Sequence, residues 1–274
     1  MRLLSIAAIQ TSPVARDPAA TLRLLGERVA GVRDMSPGVQ LVMFPELHLP
    51  SVPPPLEFHG QATDLAVDVP GPLTDELGAI ARAHGIWLVP GSVYERADGE
   101  RVHNTCLVFS PEGELMARYR KVFPWQPHET TAPGEGFVTF DIPDVGRVGL
   151  CICYDGSFPE TCRQLAWMGA EVVLQPSLTT TSDRNQEIVM ARANAIFNQF
   201  YVVSLNAGAP AGLGRSLIVD PEGLVRLQAG HGEEVLTDVL DLDAVTRVRE
   251  HGTAGVSRLW EQAKRSLEPP FPLS

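Results

Sequence analysis

The chain alternates short apolar runs of strand length with longer stretches in which apolar residues recur at helical spacing. The opening run LLSIAAIQ reads as a buried strand. Asp17-Pro18 then starts a helix over TLRLLGERVAGV, with the aspartate placed to cap it and the proline suited to its first turn. QLVMFPE is a second strand, PLTDELGAIARAHG a helix stopped by Gly85, and IWLVPGSVYE a further strand. TCLVFS and LMARYR flank the turn sequence Pro111-Glu112-Gly113-Glu114, which predicts a hairpin and therefore a mixed sheet.

The second half repeats the alternation. Strands are expected at VTFDI, RVGLCIC, EVVLQP and FYVVSLN, with helices over PETCRQLAWMGA and NQEIVMARANAIFNQ. SLIVD and LVRLQ flank Pro221-Glu222-Gly223 as a second hairpin, and VLTDVLD with a helix over LDAVTRVREHG completes the pattern. Two comparable sets of strands and helices predict an α/β fold of two mixed β-sheets packed face to face, each covered outside by helices. No linker divides residues 1–274, so one domain is expected, with a proline-rich tail over 265–274 that either frays or reaches a neighbouring subunit. The stretch from His48 to Pro70, with Pro50, Pro53, Pro54 and Pro55, has no apolar period; it reads as a long loop, either a lid or a surface excursion.

Composition narrows the function. With 274 residues, 44% of them hydrophobic, the chain can close a large core. A net charge of -11 argues against a nucleic-acid partner, which needs a basic face to neutralise phosphate, and points to a small ligand. No run approaches the roughly 18 apolar residues that cross a bilayer, so no membrane partner is expected. Four cysteines are too few for a disulfide framework, and the chain reads as cytoplasmic and reduced.

Chemistry gathers where predicted strands end. Glu46 follows QLVMF and Pro45; Lys121 follows RYR and precedes an aromatic, proline-rich loop; Cys153 closes the apolar run VGLCIC and is followed by Asp155-Gly156 and a helix opened by Pro159. Alone, the glutamate and the lysine are ordinary loop residues. The cysteine is more specific, because at a strand-to-helix turn the positive helix end and a nearby cation favour the nucleophilic thiolate. Cys106, Cys151 and Cys162 read as small buried residues, Cys151 lying within the apolar run instead of at its end. The Cys-x-Cys pair lacks a second cluster of zinc-like spacing, so no metal is expected. Trp125 and Phe158 are candidates to line a pocket, as is Ser177, which opens the hydroxyl-rich stretch to Ser182. His128, with no oriented acidic partner, reads as a surface residue.

Glu46, Lys121 and Cys153, in this order and spacing, together with AAIQTSP, LVMFPE, YRKVFPW, GLCICYDGSFPE, GAEVVLQPS and RSLIVDPEG, resemble the nitrilase superfamily of carbon–nitrogen hydrolases across nearly the whole chain. The resemblance implies a four-layer αββα sandwich and a homodimer or higher homo-oligomer. Nitrilases proper generally carry Trp-Glu after the nucleophile; Tyr154-Asp155-Gly156-Ser157-Phe158-Pro159-Glu160 looks instead like the aliphatic amidase and formamidase branch. Pro127-His128-Glu129 followed by Pro133-Gly134 matches that branch's spacing and adds Glu129, although Thr130, Thr131 and Ala132 replace its aromatic residues.

On this likeness Cys153 attacks an amide carbonyl to form a thioester, Glu46 moves protons, and Lys121 and the backbone N–H of Tyr154 stabilise the oxyanion. Glu129 holds the substrate nitrogen and orients the lysine. The expected substrate is a small carboxamide, converted to acid and ammonia without cofactor. The rivals are N-carbamoyl hydrolysis, with Arg184 or Arg192 as anchor for a substrate carboxylate, nitrile hydrolysis, acyl transfer to another acceptor, and an inert scaffold.

Overall fold

The computed structural model describes residues 1–51, 61–99 and 101–272. The chain begins with strand β1 (Leu3–Gln10), helix α1 (Pro18–Met35) and strand β2 (Leu41–Met43). A one-turn helix α2 (Gln61–Asp64) and helix α3 (Pro72–His84) lead to strands β3 (Trp87–Val89), β4 (Ser92–Arg96), β5 (Val102–Phe109) and β6 (Leu115–Arg120). Strands β7 (Thr139–Ile142) and β8 (Gly146–Leu150) precede a 3-10 turn over Cys153–Ser157 and helix α4 (Pro159–Trp167). Strand β9 (Val172–Ser177), helix α5 (Arg184–Asn198) and strands β10 (Tyr201–Asn206), β11 (Leu217–Val219), β12 (Val225–Gln228) and β13 (Glu234–Asp241) follow, and helices α6 (Leu242–His251) and α7 (Leu259–Ser266) close the chain.

Two mixed sheets result. One runs β13-β1-β2-β3-β5-β4 with β6 paired to β5; the other runs β12-β11-β10-β9-β8-β7. Both expected hairpins are present, β5 with β6 and β11 with β12. The two-residue period of the strands sorts their side chains into layers. Leu4, Ile6 and Ala8 of β1 meet Val172 and Leu174 of β9 and Tyr201, Val203 and Leu205 of β10 in the core between the sheets. The alternate positions face outward: Ala7 and Ile9 pack with Leu25 and Val29 of α1 and Leu77 and Ala81 of α3. On the other side Val173 and Val202 pack with Cys162 and Leu165 of α4 and Ala191 and Ala195 of α5. This is an αββα sandwich.

The helix signals act as the sequence implies. Asp17 caps α1 by accepting from the N–H of Ala20 at 2.9 Å, and Gly85 ends α3 with φ +59°, a conformation that suits glycine. Two expectations change, and one helix goes unannounced. IWLVPGSVYE is two strands, broken at Pro90-Gly91, because Gly91 takes φ +86° with its backbone pressed on the Pro45 carbonyl; a Cβ there would lie 1.8 Å from that oxygen. Helix α7 has no clear sequence signal, since its one large apolar anchor is Trp260, which packs on Trp167 beneath the guanidinium groups of Arg163 and Arg249. The tail does not fray through Pro272: the Phe271 N–H donates to Gln164 Oε1 at 3.0 Å and its ring lies 5.2 Å from that of Phe137.

Of the 48–70 loop, Pro53, Pro54 and Pro55 lie outside the described residues. Ala62 and Ala66 beyond them pack with Leu47 and Leu178, beside Glu46.

Candidate active site

The elements converge at one end of the sheets. Glu46 sits three residues past β2, Lys121 directly after β6, and Cys153 three residues past β8. Cys153 has φ +45°, rare for a residue with a Cβ; this sharp entry into the 3-10 turn lifts its thiol to the sheet edge, half-buried. Cys151, two residues earlier, packs away from the site with Cys162 under α4 and α5. Gln175 fixes the turn from below by donating to the Cys153 carbonyl at 2.9 Å.

Asp155 ties the turn to the lysine loop. Its fully buried carboxylate accepts from the Tyr119 hydroxyl at 2.7 Å, the Phe123 N–H at 2.8 Å and the Ile152 N–H at 3.0 Å. Burial pushes its carboxyl up to about 6 against the pull of Lys121 and these donors.

Glu46, Lys121 and Glu129 are each no more than 5% exposed, so their charges must answer one another. Lys121 Nζ donates to Glu46 Oε1 at 2.9 Å and to Glu129 Oε2 at 2.7 Å. Asn104 Nδ2 bridges the same two carboxylates at 2.8 and 2.9 Å. Glu129 also accepts from the Trp125 N–H at 3.0 Å and the Thr131 hydroxyl at 3.0 Å, whereas Glu46 gains the Leu178 N–H at 2.8 Å. The balance separates the two acids. Burial raises Glu46 above the usual carboxylate range, Lys121 offsets only part of this, and Glu129 adds repulsion. Burial also opposes ionisation of Glu129, but Lys121 and the other donors outweigh it and hold that group low. Burial disfavours the Lys121 ammonium, yet the two carboxylates keep it protonated, well above its ordinary value.

The thiol departs from expectation. Burial and the Glu46 carboxylate push Cys153 well above its ordinary value, Lys121 only partly opposing them, so the resting nucleophile is a thiol. The sequence suggests a thiolate because it shows a helix end and a lysine nearby; it does not show that the lysine is already neutralised by two carboxylates. A raised carboxylate beside a thiol is a pair able to exchange a proton.

A small cleft opens on Cys153, lined also by Trp125, Tyr154, Leu178, Thr179, Asp183 and Glu187. Tyr154 is among the first residues of the 3-10 turn, where the turn itself supplies no partner for the amide N–H. Phe158 does not line the cleft. It caps α4 and stacks on Phe123 at 3.9 Å between centroids. Ser177 does not line it either: fully buried, it shares the strand face of Val173 and Gln175, beneath the Cys153 turn. His128 is exposed and packs on Trp125. The two arginines named as anchors are committed elsewhere, Arg184 to Glu187 in the interior and Arg192 to the Gly223 carbonyl. Asn104 carries no sequence signal beyond being a polar residue in an apolar strand. Among the described residues, no group of three or more His, Cys, Asp or Glu could hold a metal ion.

The carbon-nitrogen hydrolase family model matches residues 5–250. The chain belongs to that family. The match spans nearly all of both sheets and every residue of the cluster, so the protein is a hydrolase of carbon–nitrogen bonds in the nitrilase superfamily, on its amidase-like side. Omega-amidase NIT2 of Mus musculus is 33% identical over 204 residues, covering 68% of this chain and 73% of the relative. The structure of Saccharomyces cerevisiae Nit3, a member of branch 10 of the superfamily, superposes with a TM-score of 0.82 at 27% identity, covering 91% of this chain and 94% of that one. An amidase from Nesterenkonia sp. gives 0.76 at 26% identity over 90% and 94% of the two chains; a mutant of that amidase carries acrylamide added at its active-site cysteine.

Proposed function

We propose that the protein hydrolyses a small carboxamide to its acid and ammonia through a thioester on Cys153. The observation that carries this reading is the meeting of a half-buried thiol with a raised carboxylate and a fixed ammonium beside one small cleft. Sγ attacks the amide carbonyl as its proton passes to Glu46, the carboxylate whose charge acts on the thiol. The oxyanion takes the third N–H of the Lys121 ammonium, the other two being held by Glu46 and Glu129, together with the Tyr154 amide. As the C–N bond breaks, Glu46 returns the proton to the departing nitrogen, beside which Glu129 stands as an acceptor. Water then attacks the thioester with Glu46 again as base, releasing the acid and restoring the thiol.

The amidases among the similar proteins support the same substrate class. An N-carbamoyl amino acid is less well served, because neither Arg184 nor Arg192 reaches the cleft. The test is kcat/KM, by ammonia release, for small carboxamides, N-carbamoyl amino acids and nitriles. Carboxamides are expected to lead; a preference for either rival class, or inertness of the folded protein toward all three, would overturn the reading.

A further inference from the structure

Beside the nucleophile the cleft wall rests on a buried ion pair that the reaction does not use. Arg184, 1% exposed, donates to Glu187 Oε2 at 2.8 Å, Ser204 Oγ at 3.2 Å, the Gly214 carbonyl at 3.2 Å and the Arg215 carbonyl at 3.0 Å. Glu187, so fixed, accepts the Thr179 hydroxyl at 2.8 and 2.9 Å on its two oxygens. Asn206 clamps the Thr179 backbone, accepting its N–H at 2.8 Å and donating to its carbonyl at 3.2 Å.

A hydroxyl has one hydrogen, and that of Thr179 is spent on Glu187. Toward the cleft Thr179 therefore presents lone pairs only, 3.8 Å from Cys153 Sγ. The Thr181 hydroxyl is likewise committed, to Asp183. Once an acyl group is bonded to Sγ, a substituent on the carbon next to its carbonyl comes within reach of Thr179 Oγ1. At Thr179 it meets an acceptor and not a donor.

We propose that Thr179, held in an acceptor role by the Glu187–Arg184 pair, is a specificity-determining residue selecting amides with a hydroxyl or ammonium donor on the carbon adjacent to the carbonyl. Amides with a methyl group or a carboxylate there are disfavoured. This inference rests on the reading of Cys153 as the nucleophile toward a carboxamide.

Glycolamide and propionamide test it, since they differ only in exchanging a hydroxyl for a methyl group of similar size. The expected kcat/KM ratio is roughly tenfold in favour of glycolamide, the scale of one hydrogen bond to a substrate hydroxyl. Thr179→Ser retains the ratio and Thr179→Val brings it close to one. Glu187→Gln lowers it as well, because the new amide N–H₂ donates to Thr179 Oγ1 and turns the hydroxyl hydrogen toward the cleft; circular dichroism checks that this variant folds. Equal turnover of the two amides by the wild type, or a ratio that survives Thr179→Val, would overturn the inference while leaving the hydrolase reading intact. Failure to hydrolyse either amide would overturn the inference, and inertness toward every small carboxamide, with no acyl adduct on Cys153, would overturn the proposed reaction with it.

Discussion

Two carboxylates around a single ammonium cannot both stay ionised without cost in a buried site, and their other hydrogen bonds decide which one is proton-ready. Glu129 has the fuller set of donors, and Glu46 is the carboxylate whose charge raises the Cys153 thiol. Cys153→Ala and Glu46→Gln are expected to lower kcat by about a thousandfold or more with the fold retained, while Cys151→Ala keeps most activity; steady-state rates and melting curves decide. Lys121→Ala should lose activity and also about 3–5 kcal/mol of stability, because it leaves two buried carboxylates without a counter-ion. Denaturant titration measures that loss. Asn104→Leu removes the donor shared by both acids and is expected to cost roughly tenfold to a hundredfold in kcat/KM; activity unchanged from wild type would show the bridge to be incidental.

Glu46, Lys121 and Cys153 were legible because each closes a predicted strand in a segment that resembles the family, whereas Glu129, in the loop between β6 and β7, was legible from the resemblance alone. Asn104 was not legible, because its role depends on β5 and β6 pairing so that the Lys121 N–H meets the Asn104 carbonyl at 2.8 Å. Phe158 and Ser177 were misplaced for a related reason. Closeness in sequence to Cys153 does not fix direction: the cap of α4 turns Phe158 onto Phe123, and the strand period puts Ser177 beneath the turn.

At the scale of elements, hydrophobic period and turn residues announced nearly every strand and helix, and the exceptions share a cause in tertiary contact. The break between β3 and β4 exists because the chain passes against Pro45, and the same contact braces the residue before Glu46. Gly91→Ala is therefore expected to destabilise the protein by roughly 3 kcal/mol or more, combining a left-handed backbone with a clash against a carbonyl. Its surviving folded fraction should also be impaired in kcat. A substitution tolerated within about 0.5 kcal/mol in urea unfolding would contradict this account of the break.

For the whole molecule, pairing of the strands carries residues far apart in sequence to one end of the sandwich, and Asp155 locks two of those approaches together through Tyr119, Phe123 and the nucleophile turn. Its carboxyl titrates at about 6 in the folded chain, above the 3.8 ordinary for aspartate. Between these values the folded protein holds a proton that the unfolded chain has released. Asp155 therefore makes stability fall as pH rises from about 4 to 6, by roughly 3 kcal/mol in all, and adds no slope above that range. Comparing unfolding free energies of the wild type and Asp155→Asn across pH 4 to 7 isolates this slope, which the variant should lack.

The proposed hydrolysis requires that one thiol, that of Cys153, carry the acyl group. Mass spectrometry of protein quenched during amide turnover tests it most directly. An acyl adduct is expected on the peptide containing Cys153, formed as ammonia is released, decaying as acid appears, and absent in Cys153→Ala. Hydrolysis persisting in Cys153→Ala, or the adduct residing on Cys151, would contradict it.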